Sequence, residues 1–314
     1  MEERPRFWKN SKRYYDLKSY WRNLFGCNVY KLPIDAGFTC PNRDGLVGWG
    51  GCIYCDSRGS KLRQEGPLPS VREQITKGKA YYRDARQAKK FIAYFQTFTN
   101  TYAHPAHLKA LYDEALKEED VIGLSIGTRP DCLPEETIAL IADYAQNYHV
   151  WVEVGLQSIH DQTLSLINRG HDVACFLNAI ERLSGRRINI CVHIILGLPG
   201  EKRQDMMDTA KALARLPIDG IKIHSLLVLD GTPLGERYKG GEITLMTKEE
   251  YILTVCDILE ILPPRVVIQR LTADGYKDIF LGPAWATHKL EVINGIDLEL
   301  KRRNSWQGKK YCPT

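Results

Sequence analysis

Short apolar runs alternate with amphipathic stretches along most of the chain. The runs are 29–35 (VYKLPID), 91–96 (FIAYFQ), 121–127 (VIGLSIG), 150–156 (VWVEVGL), 188–196 (INICVHIIL), 221–229 (IKIHSLLVL) and, less sharply, 265–271 (RVVIQRL). Each is rich in β-branched or aromatic residues and closes on Gly, Thr or a polar turn, which predicts a strand. The stretches between them, 70–89, 105–118, 134–147, 172–184, 203–215 and 247–261, carry apolar residues at helical spacing. Pro134 followed by Glu135 and Glu136 suits a helical first turn, and Thr247 with Glu250 predicts a capping box. Strand–helix alternation of this kind builds a parallel sheet covered by helices, with reactive loops at the C-terminal ends of the strands. The fold class expected is α/β, a partial (β/α)6 barrel of the TIM type spanning 29–271. A basic–aromatic extension, 1–28, precedes it, and a C-terminal extension, 272–314, is expected to pack on it. The polar segment 56–70 reads as a loop inside the barrel.

Composition narrows the class. Nine cysteines in 314 residues, an odd number with six scattered singly, do not make a disulfide framework. With no charged-then-apolar leader and no apolar run near membrane length, the expectation is a cytoplasmic protein of a reducing compartment with no membrane partner. The net charge of +5 is mild, but its distribution is uneven. Arg4, Arg6, Lys9, Lys12, Arg13, Lys18 and Arg22 are interleaved with Phe7, Trp8, Tyr14, Tyr15, Tyr20 and Trp21. Near the other end stand Lys301, Arg302, Arg303, Trp306, Lys309, Lys310 and Tyr311. Cations for phosphate and rings for base stacking suit single-stranded or looped RNA. The plainer alternative is an amphipathic helix and a tail whose rings cap the core.

The candidate chemistry sits in CPNRDGLVGWGGCIYC, residues 40–55, just after the first strand. Cys52 and Cys55 form a CxxC pair, with Cys40 well upstream. A closed zinc site wants four ligands, so a fourth would come from a distant residue. A four-iron cluster held by three thiolates leaves one iron open to a small molecule. Chance proximity is the third reading. Thiolates on one cluster are close neighbours, so the insert between Cys40 and Cys52 must fold back as a small hairpin. Asp44-Gly45 reads as its turn, and Gly45, Gly48, Gly50 and Gly51 loosen its backbone.

In this loop the sequence resembles the radical S-adenosylmethionine (SAM) enzymes, whose signature is CxxxCxxC with an aromatic residue before the last cysteine. Tyr54 fills that aromatic place. The longer first interval is similar to that of the catalytic subunit of the elongator complex and its relatives. YFQTFTN (94–100), GTRPDCL (127–133), GLQS (155–158), NRGH (168–171) and ILGLPGE (195–201) follow in order at successive strand ends. They resemble the family's later motifs, with elongator-type and oxygen-independent coproporphyrinogen oxidase-type features, and cover roughly 29–235. The short bacterial elongator-like proteins without an acetyltransferase half are the most similar group.

The resemblance implies a [4Fe-4S] cluster on Cys40, Cys52 and Cys55, with SAM chelated at its open iron. A reduced cluster then cleaves SAM, and the 5′-deoxyadenosyl radical takes hydrogen from the substrate. It implies that Gln96, Thr97 and Thr99 orient the methionine amino group, that Arg169 meets the SAM carboxylate, and that Gln157 bonds ribose or carboxylate. Gly197 and Gly200 would line the adenine. His193 departs from the coproporphyrinogen pattern, where an Asp holds the ribose, and leaves that contact open. His171, His224 and Cys132 are weaker candidates, more readily structural.

Three functions remain in view. One is a tRNA-modifying radical SAM enzyme working at C5 of a wobble uridine, for example taking carboxymethylaminomethyluridine toward the aminomethyl form. It would use tRNA as partner and an electron donor such as flavodoxin or ferredoxin. The others are a radical SAM enzyme for a small molecule or tetrapyrrole, and a non-enzymatic zinc-stabilised RNA-binding module.

Overall fold

The structure, a computed structural model, describes residues 5–56, 59, 67–273 and 278–313. Its elements run α1 (Leu17–Phe25), β1 (Val29–Ile34), α2 (Val71–Arg86), β2 (Lys90–Phe95), α3 (Pro105–Leu116), β3 (Val121–Thr128), α4 (Glu135–Ala145), β4 (His149–Gln157), α5 (Asp161–Leu166), α6 (Val173–Leu183), β5 (Asn189–Leu196), α7 (Arg203–Ala214), β6 (Gly220–Ser225), β7 (Val228–Leu229), α8 (Pro233–Lys239), α9 (Lys248–Ile261), β8 (Val267–Arg270), β9 (Phe280–Gly282) and α10 (Lys289–Arg302). Seven strands form one parallel sheet in the order β1-β2-β3-β4-β5-β6-β8. Sequential order and parallel direction are what repeated strand–helix units produce. The sheet curls into a partial barrel, far enough that the Lys31 ammonium on β1 reaches Gln269 Oε1 on β8 at 2.7 Å.

Alternation along each strand separates two environments. On β5, Ile190, Val192, Ile194 and Leu196 join the apolar layer beneath the helices. Cys191 and His193, between them, face the interior with Trp151 and Glu153 of β4. The expected helix starts are present. Thr247 Oγ1 accepts from the Glu250 N–H at 3.2 Å, and Glu250 returns the bond, closing the capping box. Ser70 and Glu73 close another at the start of α2, while Pro134 is the residue before α4 and not its first turn. The run 221–229 is two strands. The chain leaves the barrel after Ser225, and Val228–Leu229 pairs antiparallel with β9.

The two basic–aromatic ends are built into the protein. Trp8, Tyr15 and Trp151 form one buried cluster with Cys191 and Val267, flanked by Tyr20 and Trp306. Trp21, Val29 and Ile92 form another. These rings plug the barrel at the N-terminal ends of its strands, and Trp8 Nε1 donates to Pro264 O at 3.0 Å. The exposed edge of β8 is covered too, since the Ile268 N–H donates to Tyr15 O at 2.8 Å. Several cations of these segments are committed internally, Lys12 to Asp297, Lys310 to Glu260, and Arg303 to Asp257 and Glu299. Burial of the rings therefore overrides the reading of these ends as a stacking surface for RNA. Arg4 and most of the 56–70 loop lie outside the described residues.

Trp8→Ala should cost about 3–5 kcal/mol, as expected for deletion of a fully buried indole, read as a lower urea midpoint. His149 lies against Tyr20 and Phe25, and its Nε2 accepts from Trp151 Nε1 at 2.8 Å. Burial, aided by Lys31, holds its pKa down at about 4. Its neutral form therefore contributes stability above the unfolded value near 6.5, and that contribution is lost as pH falls toward 4. The contribution is on the order of 3 kcal/mol, and His149→Gln should flatten the fall in thermal midpoint across that window.

Candidate active site at the barrel mouth

The segment Cys40–Cys55 folds as expected, into a compact excursion. Arg43 N–H donates to Cys40 O at 2.8 Å, Asp44 bridges to Trp49 in antiparallel fashion, and Gly51 N–H returns to Asn42 O at 2.8 Å. Cys55 N–H donates to Cys52 O at 2.9 Å, making the CxxC pair a tight turn. Arg43 reaches over the loop to the carbonyls of Cys55 and Asp56. Cys52 is buried, while Cys40 and Cys55 are partly exposed. Burial pushes the Cys55 thiol up, with Arg43 opposing. Cys40 lies close enough to Cys132 to be felt in the latter's raised pKa, which burial dominates. Tyr54 packs under the loop, and burial, with Cys52 adding to it, raises its phenol pKa.

The excursion is clamped to the loop after α5. Asn42 Nδ2 donates to Asn168 O at 2.6 Å, and Asn168 Nδ2 donates to Gly51 O at 2.8 Å. Ile53 N–H donates to Ile167 O at 3.0 Å. A Cβ on Gly170 would stand 2.7 Å from Asn42 Oδ1 and 3.0 Å from Val47, at a φ of +75°. Only glycine combines that backbone with so close a neighbour. This clamp delivers Arg169 to the cysteines. Its Nη1 lies 3.6 Å from Cys52 Sγ, and its Nη2 donates to Gly155 O at 2.7 Å.

TRPD stands behind Arg169. Arg129 forms a two-pronged pair with Asp131, at 2.9 and 2.7 Å, and donates from Nη1 to Arg169 O at 2.9 Å. Arg169 is 7% exposed, yet among the described residues no carboxylate forms an ion pair with it, and its Nε has no partner. A buried guanidinium without an anion is costly. The site is therefore shaped for an anionic group beside Cys52.

Most of the remaining predicted residues lie at the C-terminal ends of β2, β4 and β5. Gln96 follows β2, with Thr97 and Thr99 buried beyond it; Thr99 N–H donates to Thr39 O at 3.2 Å, tying that loop to the residue before Cys40. Gln157 ends β4 at a φ of +81°, beside a register shift, and its amide is within 2.9 Å of where a Gly155 Cβ would sit. Gly197 and Gly200 both take left-handed backbone at the end of β5. Glu201 is bound to Ser158, joining the loops after β4 and β5. His193 Nε2 is 2.8 Å from Glu153 Oε2, so its ring is engaged inside the barrel. His171 sits next to Arg169; burial first, then that cation, holds its pKa at about 3.

What the motifs did not reveal is a charged layer across the barrel interior. Glu153 of β4 receives Lys31 from β1, Ser125 from β3 at 2.6 Å, His193 from β5 and Lys222 from β6. Lys222 also donates to Tyr94 Oη of β2 at 2.9 Å. The available signal was a charge in the middle of an apolar strand, as in WVEVG and GIKIH.

Among the described residues, no three His, Cys, Asp or Glu side chains are gathered as ligands of one metal ion. A zinc ion draws four ligands to about 2.0–2.3 Å of a single centre, whereas an iron–sulfur cluster spreads its thiolates over separate irons. Three thiols on one loop, one short of the ligand set of a closed zinc site, are the donor set of a cluster with one open iron, and the Arg169 guanidinium stands beside Cys52.

The Radical SAM superfamily model matches residues 40–213, and the Radical_SAM C-terminal domain model matches 218–302. The chain belongs to the radical SAM superfamily. Membership implies an iron–sulfur cluster and SAM. The chain is 42% identical over 312 residues to the uncharacterized protein YtqA of Bacillus subtilis, covering 99% of this chain and 97% of that one. It is 31% identical over 156 residues to the tRNA uridine(34) acetyltransferase of Methanocaldococcus infernus, covering 49% of this chain and 29% of the relative. The archaeal Methanocaldococcus infernus Elp3, solved with an N-terminal deletion, superposes with a TM-score of 0.67 at 18% identity, over 89% of this chain. This chain spans 64% of that structure's length. The likeness is one of fold. Among the described residues no helix is long and apolar enough to cross a membrane.

Asn168→Ala removes the amide bond to Gly51 and leaves alanine at a φ of +52°. The expected cost is about 1–2 kcal/mol, with faster hydrogen exchange at the Ile53 amide. Unchanged exchange there would mean the clamp does not depend on Asn168.

Proposed function

We propose that this radical SAM enzyme remodels the C5 side chain of a tRNA wobble uridine, taking carboxymethylaminomethyluridine toward aminomethyluridine. The observation that carries this reading is the 31% identity to a protein named for tRNA uridine 34, across 156 residues. The form of the mouth supports it. The hairpin between Cys40 and Cys52 presents Trp49, 76% exposed, and Leu46, 70% exposed, on the loop that carries the cysteines. An exposed ring there suits a flipped or looped base, because every base has a face to stack.

In this reading Cys40, Cys52 and Cys55 hold the cluster, with Tyr54 packed behind them. Arg169, which pairs with no carboxylate among the described residues, meets the SAM carboxylate beside Cys52. Gln96, Thr97 and Thr99 face its amino group, and Gln157 its ribose or carboxylate. Gly197 and Gly200 admit the adenine close to the backbone. The ring of His193, drawn to Glu153, is turned toward the barrel interior and shapes its floor. When bound, the cluster and SAM supply reductive cleavage of the sulfonium carbon–sulfur bond, and hence radical chemistry. The chain's own contribution is to position them, to exclude water with the clamped loop, and to present the substrate from the mouth. A one-electron donor such as flavodoxin or ferredoxin supplies the reducing equivalent.

Nucleoside mass spectrometry on tRNA from cells lacking this protein should show carboxymethylaminomethyluridine accumulating and its aminomethyl product lost. An unchanged nucleoside profile across all tRNAs would overturn the reading. Anaerobically isolated protein should carry iron and sulfide, and a stoichiometric zinc content instead would favour a zinc-stabilised RNA-binding module.

A further inference from the structure

Among the described residues, the layer around Glu153 has more cation than anion. Lys31 and Lys222 both bind the one carboxylate, which is itself buried and held ionised. Burial is the largest influence on Glu153 and would raise its pKa, but Lys222 and Lys31 outweigh it and bring the pKa well below the usual range. His193 and His224, whose rings lie 5.2 Å apart, are kept neutral by burial, His193 at about 4. They add no charge to the layer. Arg270 adds positive potential toward Lys222 and His224 from β8. Burial, with those cations adding, brings Lys222 down to about 8.

Donors also outnumber acceptors. Each ammonium has three N–H groups. Lys222 directs two at Glu153 and Tyr94, and Lys31 directs two at Glu153 and Gln269. The buried Nε2 atoms of His224 and Gln269 have no partner. A charged layer this buried is expensive unless its donors are met.

Position links the layer to the mouth. Gly155, His193 and Lys222 occupy one rung of the sheet, and Gly155 O is the acceptor for Arg169, which touches Cys52. On β6 the next inward residue toward the mouth is His224, level with Ile195 of β5, so the Lys222 layer lies one layer further in, reached past the unpartnered His224 Nε2. Lower down, the barrel is filled by the Trp8–Trp151 cluster.

We propose that Lys222, with Lys31 behind it, forms a substrate subsite that takes a carboxylate group, here the carboxymethyl end of the uridine side chain. This deepens the proposed function and rests on it. It assigns specificity to a monoanionic group on the substrate's reacting arm, separate from the phosphates of the tRNA.

The test uses the anaerobic holoenzyme with SAM and two acid–ester pairs. These are 5-carboxymethylaminomethyluridine with its methyl ester, and N-acetylglycine with its methyl ester as a ring-free pair. Calorimetric binding should favour the acid by at least about 10-fold, the scale of one charge-assisted hydrogen bond. Lys222→Met should bring the ratio near one, and Lys222→Arg should keep most of it. Equal binding of acid and ester by the unmodified protein overturns the subsite without any variant having to fold. So does an acid preference undiminished in Lys222→Met. An acid preference in the N-acetylglycine pair that depends on Lys222, with no binding of the nucleoside, supports the subsite and counts against the wobble-uridine reading. Accumulation of carboxymethylaminomethyluridine in the deletion strain, together with equal binding of acid and ester, overturns the subsite and leaves the wobble-uridine reading standing.

Discussion

Glu153 is the point at which the barrel is tied together. Its two oxygens receive side chains from β1, β3, β5 and β6, and through Lys222 the phenol of β2 joins them. Such a group stabilises little by itself, because desolvating a carboxylate and two ammoniums offsets most of their attraction. What it does is fix register. A strand slipped by one residue would turn its polar member into the apolar layer under the helices. The interior thus has a defined order from bottom to top: an aromatic plug, a charged layer, then glycines and the cysteine loop.

The upper layer is positioned by backbone carbonyls more than by side-chain pairing. Arg169 rests on Gly155 O, Arg129 on Arg169 O, and Asn42 and Asn168 on each other's loops. Backbone acceptors leave the charges of Arg169 and the thiols available. A site built to receive an anionic ligand and a cluster needs that availability, whereas an internal salt bridge would have neutralised it. The left-handed backbone of Gln157 and Asn168, costly for residues other than glycine, lies at this seam, where strain is commonly held for function.

Family membership and the proposed substrate rest on different footings. The superfamily follows from matches across 40–213 and 218–302 together with the barrel. The wobble-uridine reading rests on a partial match to one named relative and on an exposed aromatic hairpin at the mouth. The basic–aromatic ends no longer contribute, since their rings close the bottom of the barrel.

Strand–helix alternation, the Thr247 capping box and the cysteine hairpin were legible in the chain itself, because period-2 and period-3.6 patterns and turn residues act over a few neighbours. TRPD and NRGH were visible as motifs, but their joint work in holding Arg169 was not, as Arg129 and Arg169 meet only through folding. The same holds for the fate of Trp8 and Tyr15, which pattern alone left open between a binding face and a plug. Least visible was the Glu153 layer. Lys31, Tyr94, Ser125, Glu153, His193 and Lys222 stand on six strands, each an isolated polar residue in an apolar run. Local sequence decides that such a residue points away from the helices, since alternation is a property of one strand. Only curling of the sheet decides that all six point at one another, because long-range electrostatics act on distances that exist in the closed barrel and nowhere along the chain.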